Sequence, residues 1–373
     1  MPLIKNLTGQ FAKIKVLGIG GGGNNAINSM VSDGNFVGVD FVAVNTDSQA
    51  LLNSQAPLKI QIGEKLTKGL GAGGNPQIGQ QAAQESEDKI REVLVDTDML
   101  FITGGMGGGT CTGAAPIIAQ IAKNELGILT TAVVTKPFIF EGTRRLSRAQ
   151  EGINQLKNHV DTLIVIPNQK VMEVVNSQVT LQEAFRIADS VLQKGTKAIA
   201  DLITTPGLIN LDFADIKSVM GDAGSALMGV GEAEGENRAL AAIEAAIHSP
   251  LVEVNITGAR GVLINISGGS DMTMAEIESA AKSITAKVAP DANIIFGTNI
   301  DPRLEGKIKI TVIATGFDSQ SPNLYQLSAP TTQPKIKKIT PSQIEKILGD
   351  QKIPTGVDIV DELDIPSFLR RNN

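Results

Sequence analysis

The stretch Gly104-Gly105-Met106-Gly107-Gly108-Gly109-Thr110-Cys111-Thr112-Gly113 follows the apolar run Met99-Leu100-Phe101-Ile102 and leads into Ala114-Ala115-Pro116-Ile117-Ile118-Ala119-Gln120-Ile121, a helical pattern. Strand, glycine loop and helix in that order point to an α/β architecture. Successive glycines let backbone N–H groups turn inward on a concave path. The helix start behind them adds unpaired donors and partial positive charge, so the loop suits phosphate oxygens. Thr110 and Thr112 add hydroxyls. A Walker-type loop would place a Lys after its last glycine, and the chain has no G-x-x-x-x-G-K-[ST]. Neutralisation then falls to a metal ion and the helix end. The competing reading is a flexible loop that simply needs many glycines.

Upstream, Lys13-Ile14-Lys15-Val16-Leu17-Gly18-Ile19 reads as a buried strand, followed by Gly20, Gly21, Gly22, Gly23, Asn24 and Asn25 and a helix over 26–30. Gly18, Gly20 and Gly23 fit G-x-G-x-x-G, and Asp40 or Asp47 lies near the spacing of a ribose carboxylate, so a nicotinamide-dependent oxidoreductase is the rival function. Against it stand the glycine block at 104–113 and a third at Gly69-Leu70-Gly71-Ala72-Gly73-Gly74-Asn75-Pro76. Three such loops at the ends of parallel strands point to one phosphorylated ligand held from several sides. A second strand over 39–45 ends in Asn45, and further strands are expected at 128–134 and 162–166, with a helical pattern over 80–95 between. This half reads as an open, doubly wound parallel sheet whose ligand sits beyond the carboxyl ends of its strands.

Between those last strands, the segment from Pro137 opens a helix in which Glu141 suits ribose hydroxyls and Arg145 suits phosphate or base; a solvated helix start explains both charges as well. Asn168 suits a purine edge or an ordinary turn. Thr180-Leu181-Gln182-Glu183 reads as a capping box launching a long helix to about Thr204, ended by Pro206-Gly207. Phe185 and Asp189 share a face of that helix. A ring that stacks and a carboxylate that accepts from base N–H donors would read guanine, whereas core packing is the plainer role for Phe185. Beyond the helix, Asn210, Asp212 and Asp215 either orient a water for attack on a γ-phosphate or, for the two carboxylates, form a capping box.

Residues to about 317 read as a second α/β unit, with strands at 252–256, 261–266, 292–296 and 307–313 and helices near 235–248 and 274–287. From 318 the run broken by Pro322, Pro330, Pro334, Pro341 and Pro354 reads as a disordered linker. It ends in a peptide containing Asp364, Ile365, Pro366, Phe368, Leu369 and Arg370, either a partner-docking motif or an inert end. At net charge −6, without a long basic block and with no Trp and a single Tyr, the chain lacks the features of a nucleic-acid groove or stacking platform. One cysteine and two histidines exclude an intrachain disulfide, a cysteine-based zinc cluster and a histidine-rich metal site. Neither a signal-peptide core nor a membrane-spanning run is read, so a cytoplasmic location is expected.

The 107–113 block resembles the G-G-G-T-G-[TS]-G signature of the tubulin/FtsZ family, with Cys111 where that family usually has Gly. The resemblance extends through Gly20-Gly21-Gly22-Gly23-Asn24-Asn25-Ala26 and Asn210-Leu211-Asp212-Phe213-Ala214-Asp215 to Leu363-Asp364-Ile365-Pro366-Ser367-Phe368-Leu369-Arg370-Arg371. It implies a GTPase that binds GTP/GDP with Mg²⁺, polymerises head to tail into protofilaments and assembles the bacterial division ring at mid-cell. It further implies a GTP-binding domain over 1–179, a connecting helix over 180–205, a C-terminal domain over 206–317, a linker over 318–360, and a tail over 361–373 that engages FtsA-like or ZipA-like membrane-tethering adaptors. The expected nucleotide contacts are Gly20 to Asn25, Asn45, Gly71, Ala72, Gly73, Gly107, Gly108, Gly109, Thr110, Cys111, Thr112, Gly113, Pro137, Glu141, Arg145, Asn168, Phe185 and Asp189, and the expected catalytic residues are Asn210, Asp212 and Asp215. If Cys111 required a positive φ, its β-carbon would cost about 1–3 kcal/mol. Bound nucleotide is expected to shield its thiol.

Overall fold

The computed structural model describes residues 12–170, 180–205, 212–248, 256 and 258–317. The strands β1 (Ile14–Ile19), β2 (Val39–Asn45), β3 (Leu58–Gln61), β4 (Met99–Gly105), β5 (Leu129–Lys136), β6 (Thr162–Pro167), β7 (Gly224–Glu234), β8 (Gly261–Gly268), β9 (Asn293–Ile300) and β10 (Lys307–Thr315) join in one sheet. Their spatial order is β3-β2-β1-β4-β5-β6-β7-β10-β8-β9. From β3 through β6 to the start of β7 all neighbours are parallel, whereas β10 pairs antiparallel with both β7 and β8, and β8 pairs parallel with β9. The order turns back between β1 and β4, which opens a crevice at their carboxyl ends.

Alternation along the strands assigns the helices to two layers. Leu17, Ile19, Val42, Val44, Leu100, Ile102, Ala132 and Val134 face a core completed by α4 (Pro76–Glu85), α5 (Glu87–Leu94), α6 (Thr110–Gln120) and α7 (Thr143–Lys157). Val16, Phe41, Ala43, Met99, Phe101 and Val133 face the opposite core, built with α1 (Gly20–Asp33), α8 (Leu181–Thr204) and α9 (Phe213–Met220). A third core lies between β8, β10 and the helices α10 (Arg238–Ile247) and α11 (Met274–Thr285).

The expected fold class is found, and several elements differ from expectation. The helix expected over 80–95 is two helices meeting at Ser86, whose hydroxyl accepts a hydrogen bond from the Gly63 amide at 3.0 Å. β3 and β7 carried no legible signal: β3 has four residues, and Gly229 and Gly231 disguise β7. Gly231 is required because a β-carbon there would strike the backbone of α10. β7 hydrogen-bonds to β6 on one side and β10 on the other, so the sheet is unbroken across residue 206. The strand expected over 252–256, the Pro206-Gly207 stop, the linker and the tail lie outside the described residues, apart from Ile256.

Gly113 occupies the contact between α6 and α4, where a β-carbon would run into the Pro76 carbonyl and sit 2.5 Å from the Gln80 amide nitrogen. Gly113→Ala is expected to destabilise the protein by about 1–3 kcal/mol through overpacking. The measurement is the urea midpoint, which should fall with an unchanged m-value.

Candidate functional site

A cavity of about 430 Å³ opens at the carboxyl ends of β1, β4 and β5. Its walls hold Gly20, Gly21, Gly22 and Asn25 of α1, and Gly108, Gly109, Thr110 and Cys111 around the start of α6. Pro137, Glu141, Arg145 and Asn168 form a further side, and Phe185 and Asp189 of α8 complete it. Ile19, Gly105, Met106, Thr135 and Ala188 also line it, although none was among the expected contacts; Gly105 and Met106 belong to the glycine block itself. Thr135 is the penultimate residue of β5, a strand of ordinary composition. Ala188 was legible in principle, three residues beyond Phe185 on one helix face.

One wall is made of two helix starts. Both glycine stretches are more helical than expected: α1 begins at Gly20 rather than at 26, and α6 begins at Thr110 inside the glycine block. Glycine does not forbid helical dihedrals once packing fixes the chain. Only Gly20, at φ 73°, and Gly107, at φ 97°, need the left-handed region here. Neither helix has a side chain capping its first amides, so those N–H groups remain for a ligand. The Thr110 hydroxyl lies 2.7 Å from that of Thr46.

The remaining residues expected at the nucleotide support this wall from behind. Thr112 is buried and its hydroxyl accepts from the Gly107 amide at 2.8 Å, fixing the loop. Gly23 lets α1 approach β1 and β4, since a β-carbon would sit 2.6 Å from the Thr103 carbonyl oxygen. With its amide turned to suit its neighbours, buried Asn24 donates to the carbonyls of Gly18 (2.9 Å) and Gly20 (3.1 Å) and accepts from the Asn45 side chain (3.1 Å). Gly71, Ala72 and Gly73 lie in the third loop, and buried Ala72 packs so closely under Gly109 that a β-carbon on that glycine would come within 2.7 Å of it. Asp47, the rival ribose carboxylate, instead caps the helix α2 (Ser48–Leu52), accepting from Gln49 and Ala50 amides.

The far end of the cavity suits a base. Phe185 is 39% exposed and is not a core residue; its ring is held edge-on by the fully buried Phe138 ring at 5.3 Å. Asp189 is part-buried, and burial pushes its carboxyl up to about 7. Asn168 lines this end of the cavity, and its buried Oδ1 has no hydrogen-bond partner among the described residues. Glu141 accepts from the Phe138 amide at 2.8 Å and meets Arg145 Nη1 at 3.1 Å, which holds the exposed guanidinium at the mouth.

Cys111 is not strained. It lies in the first turn of α6, has no positive φ, and is 4% exposed, with its Sγ 3.8 Å from Met106 Sδ. Burial pushes its thiol up to about 12. The protein itself covers the thiol, so nucleotide is not needed to shield it, contrary to expectation. Labelling by a thiolate-selective reagent at pH 7.5 should be slow with or without nucleotide, and about a hundredfold faster in denaturant.

Asp212 and Asp215 stand elsewhere. They form the capping box of α9, with the Asp215 amide donating to Asp212 Oδ1 at 2.7 Å and the Asp212 amide to Asp215 Oδ2 at 3.3 Å. Neither lines the first cavity. Phe213, between them, lines a second cavity of about 680 Å³ together with Lys13, Asp98 and Ile128, residues at the amino ends of β1, β4 and β5. The two cavities therefore open at opposite edges of the same strands, about 20 Å apart for a six-residue strand. Asn210 lies outside the described residues.

No group of three or more His, Cys, Asp or Glu that could hold a metal ion occurs among the described residues. The Thr46 and Thr110 hydroxyls, beside the start of α6, are polar oxygens that could neighbour a cation there.

Comparison with known proteins agrees with this geometry. A family model described as "Tubulin/FtsZ family, GTPase domain" matches residues 13–176, and one described as "FtsZ family, C-terminal domain" matches 224–318. The cell division protein FtsZ of Coxiella burnetii (strain RSA 493 / Nine Mile phase I) is 49% identical over 382 residues, covering 97% of each chain. An empty FtsZ dimer from M. jannaschii superposes with a TM-score of 0.79 at 47% identity, covering 83% of this chain and 90% of that one. CetZ2 from Haloferax volcanii, in a GTPγS-bound protofilament, shares the fold at a TM-score of 0.69 and 19% identity, covering 82% and 94%. The chain belongs to the tubulin/FtsZ family, in its FtsZ branch, and carries that family's GTPase domain.

Proposed function

We propose that the chain binds GTP with its phosphates against the starts of α1 and α6 and its guanine between Phe185, Asn168 and Asp189. In this reading Glu141 accepts from ribose hydroxyls and Arg145 neutralises phosphate charge. The chain then assembles head to tail, and GTP is hydrolysed where the Asn210, Asp212 and Asp215 of one subunit close over the nucleotide of the next. The observation that carries this is the placement of the two cavities at opposite edges of the sheet. A carboxylate at the amino edge cannot reach a γ-phosphate at the carboxyl edge of its own subunit, but it can reach that of a neighbour stacked end to end. Such a contact does not close on itself, so it propagates as a filament.

Within that interface, the amides at the two helix starts bind phosphate oxygens, and the neighbour's carboxylates orient and polarise the attacking water. Magnesium, when bound, supplies charge neutralisation on the phosphates. The capping box is compatible with this role, because the bonds that cap α9 also fix the direction of both carboxylates. Filaments of this kind would form the division ring at mid-cell, tethered through Asp364, Ile365, Pro366, Phe368, Leu369 and Arg370 to FtsA-like or ZipA-like adaptors. The relatedness to FtsZ cell-division proteins supports this assignment.

Phosphate release per subunit, measured against protein concentration, tests the reading. It should stay near zero below a threshold and rise steeply above it, in step with pelletable filament. Turnover per subunit that is constant from the lowest concentration upward would contradict it.

A further inference from the structure

We propose that Lys123 is a positioning residue for hydrolysis: seated at the far end of the phosphate-loop helix, it fixes the end of α9 whose start bears Asp212 and Asp215. The inference rests on the assignment of those two aspartates to the active site.

The helix α6 leaves the phosphate wall at Thr110 and is continued by a π-helical turn over Ile121–Glu125. The run from Thr110 to Glu125 is roughly 24 Å long at about 1.5 Å per residue, enough to cross from the carboxyl to the amino edge of the sheet. Wide turns of this kind insert an extra residue and re-aim a side chain, and they recur at functional sites. Here the turn carries Lys123, whose Nζ donates to the Val160 carbonyl at 3.1 Å, lies 3.1 Å from Asp161 Oδ1 and donates to Asp222 Oδ1 at 2.6 Å.

Those partners hold the C-terminal end of α9. Asp161 is buried, and its carboxylate accepts from the Thr130 amide at 2.8 Å and the Asp222 amide at 3.2 Å, while its carbonyl accepts from Gly224. Asp222 follows α9 by two residues and adopts a left-handed φ of 49°, a conformation that neighbouring bonds must maintain in a non-glycine residue. The last turn of α9 is also pinned by hydroxyls, from Thr162 to the Met220 carbonyl at 2.5 Å and from Thr315 to the Val219 carbonyl at 3.0 Å. An eight-residue helix held this firmly at one end transmits its orientation to the cap at the other. Lys123 is the one charged side chain in that clamp that comes from the helix starting at the nucleotide wall. It therefore ties the acidic cap of a subunit to the phosphate loop of the same subunit, whose nucleotide is served by a different neighbour.

The test uses full-length Lys123→Met, Lys123→Arg and Asp222→Asn, with Asp212→Ala and Asp215→Ala as references. GTP affinity below the assembly threshold, pelleting with GTP, and phosphate release per pelleted subunit are measured for each. Lys123→Met should bind GTP within about twofold of wild type and still pellet, yet release phosphate roughly tenfold more slowly, as small misplacements of a reacting group do. Lys123→Arg, which keeps the donors, should recover to within about threefold, and Asp222→Asn, which alters an 86%-exposed side chain and keeps a residue tolerant of the left-handed region, should fall about threefold. Normal release per pelleted subunit in Lys123→Met overturns the proposal, as does equal loss in the Met and Arg variants. Should Lys123→Met fail to fold, normal release in Asp222→Asn overturns it. Normal release in both Asp212→Ala and Asp215→Ala instead overturns the assignment beneath it.

Discussion

Asp189→Asn is expected to weaken GTP binding by about 10- to 100-fold, the loss of hydrogen bonds to a charged acceptor worth about 1.5–3 kcal/mol. In the proposed pose the carboxylate accepts from both N–H donors on the guanine edge, whereas an amide would turn a donor of its own toward one of them. Titration calorimetry on the unassembled protein measures this directly. It also reads a pH dependence. Burial holds the Asp189 carboxyl near 7, so GTP affinity should rise from pH 6 to pH 8 as the group ionises, and Asp189→Asn should flatten that rise.

The same shift acts with the opposite sign on the nucleotide-free protein. The unfolded carboxyl titrates near 3.8 and the folded one near 7, so the folded state binds the extra proton between those values. Stability from this group is full below the unfolded value and is lost as pH rises through the folded one. At pH 8, Asp189→Asn should therefore raise the Tm of the nucleotide-free protein while lowering GTP affinity. Unchanged affinity in this variant would remove Asp189 from the base site.

The second large effect is at the opposite edge. Asp212→Ala is expected to lower phosphate release per pelleted subunit by about a hundredfold or more, the scale of a lost acid–base or water-orienting group. It also removes a helix cap, at a cost of about 1 kcal/mol. Asp212→Asn separates the two roles, because asparagine caps a helix as well as aspartate but carries no charge. The Asn variant should keep wild-type stability and GTP affinity and still hydrolyse slowly. Normal hydrolysis in Asp212→Asn would reduce the residue to a cap.

Much of the molecule was legible in its residues because short-range rules and burial agree there. Val16 and Leu17 alternate between two cores as an interior strand requires, and the Thr180 hydroxyl accepts from the Glu183 amide at the start of α8, one of the two bonds of the capping box expected there. Glycine was the residue that misled. At Gly23 and at Gly231 it signals close approach of packed backbones rather than a loop, and nothing local distinguishes the two. The Phe185 end of the cavity was half legible: Phe185 and Asp189 followed from helical spacing, but the Phe138 ring that holds Phe185 at the cavity comes from a different element. The division of the expected nucleotide contacts into those that line the cavity and those that stand behind it, such as Asn24, Asn45, Thr112 and Ala72, depends on sub-ångström packing that spacing cannot carry.

Sharing of one active site between consecutive subunits is tested most directly by mixing. Asp212→Ala offers an intact pocket without the acid, and Asp189→Asn, at a GTP concentration too low to fill its pocket, offers the acid without the nucleotide. Each alone should release phosphate at no more than a few per cent of the wild-type rate, and Asp212→Ala at about one per cent or less. In equimolar co-filaments, with both variants verified in the pellet, about a quarter of head-to-tail junctions pair an intact pocket with an intact acid, so activity should recover toward a quarter of wild type. A mixture that pellets together yet releases phosphate only at the sum of the two separate rates would contradict an active site built from two molecules.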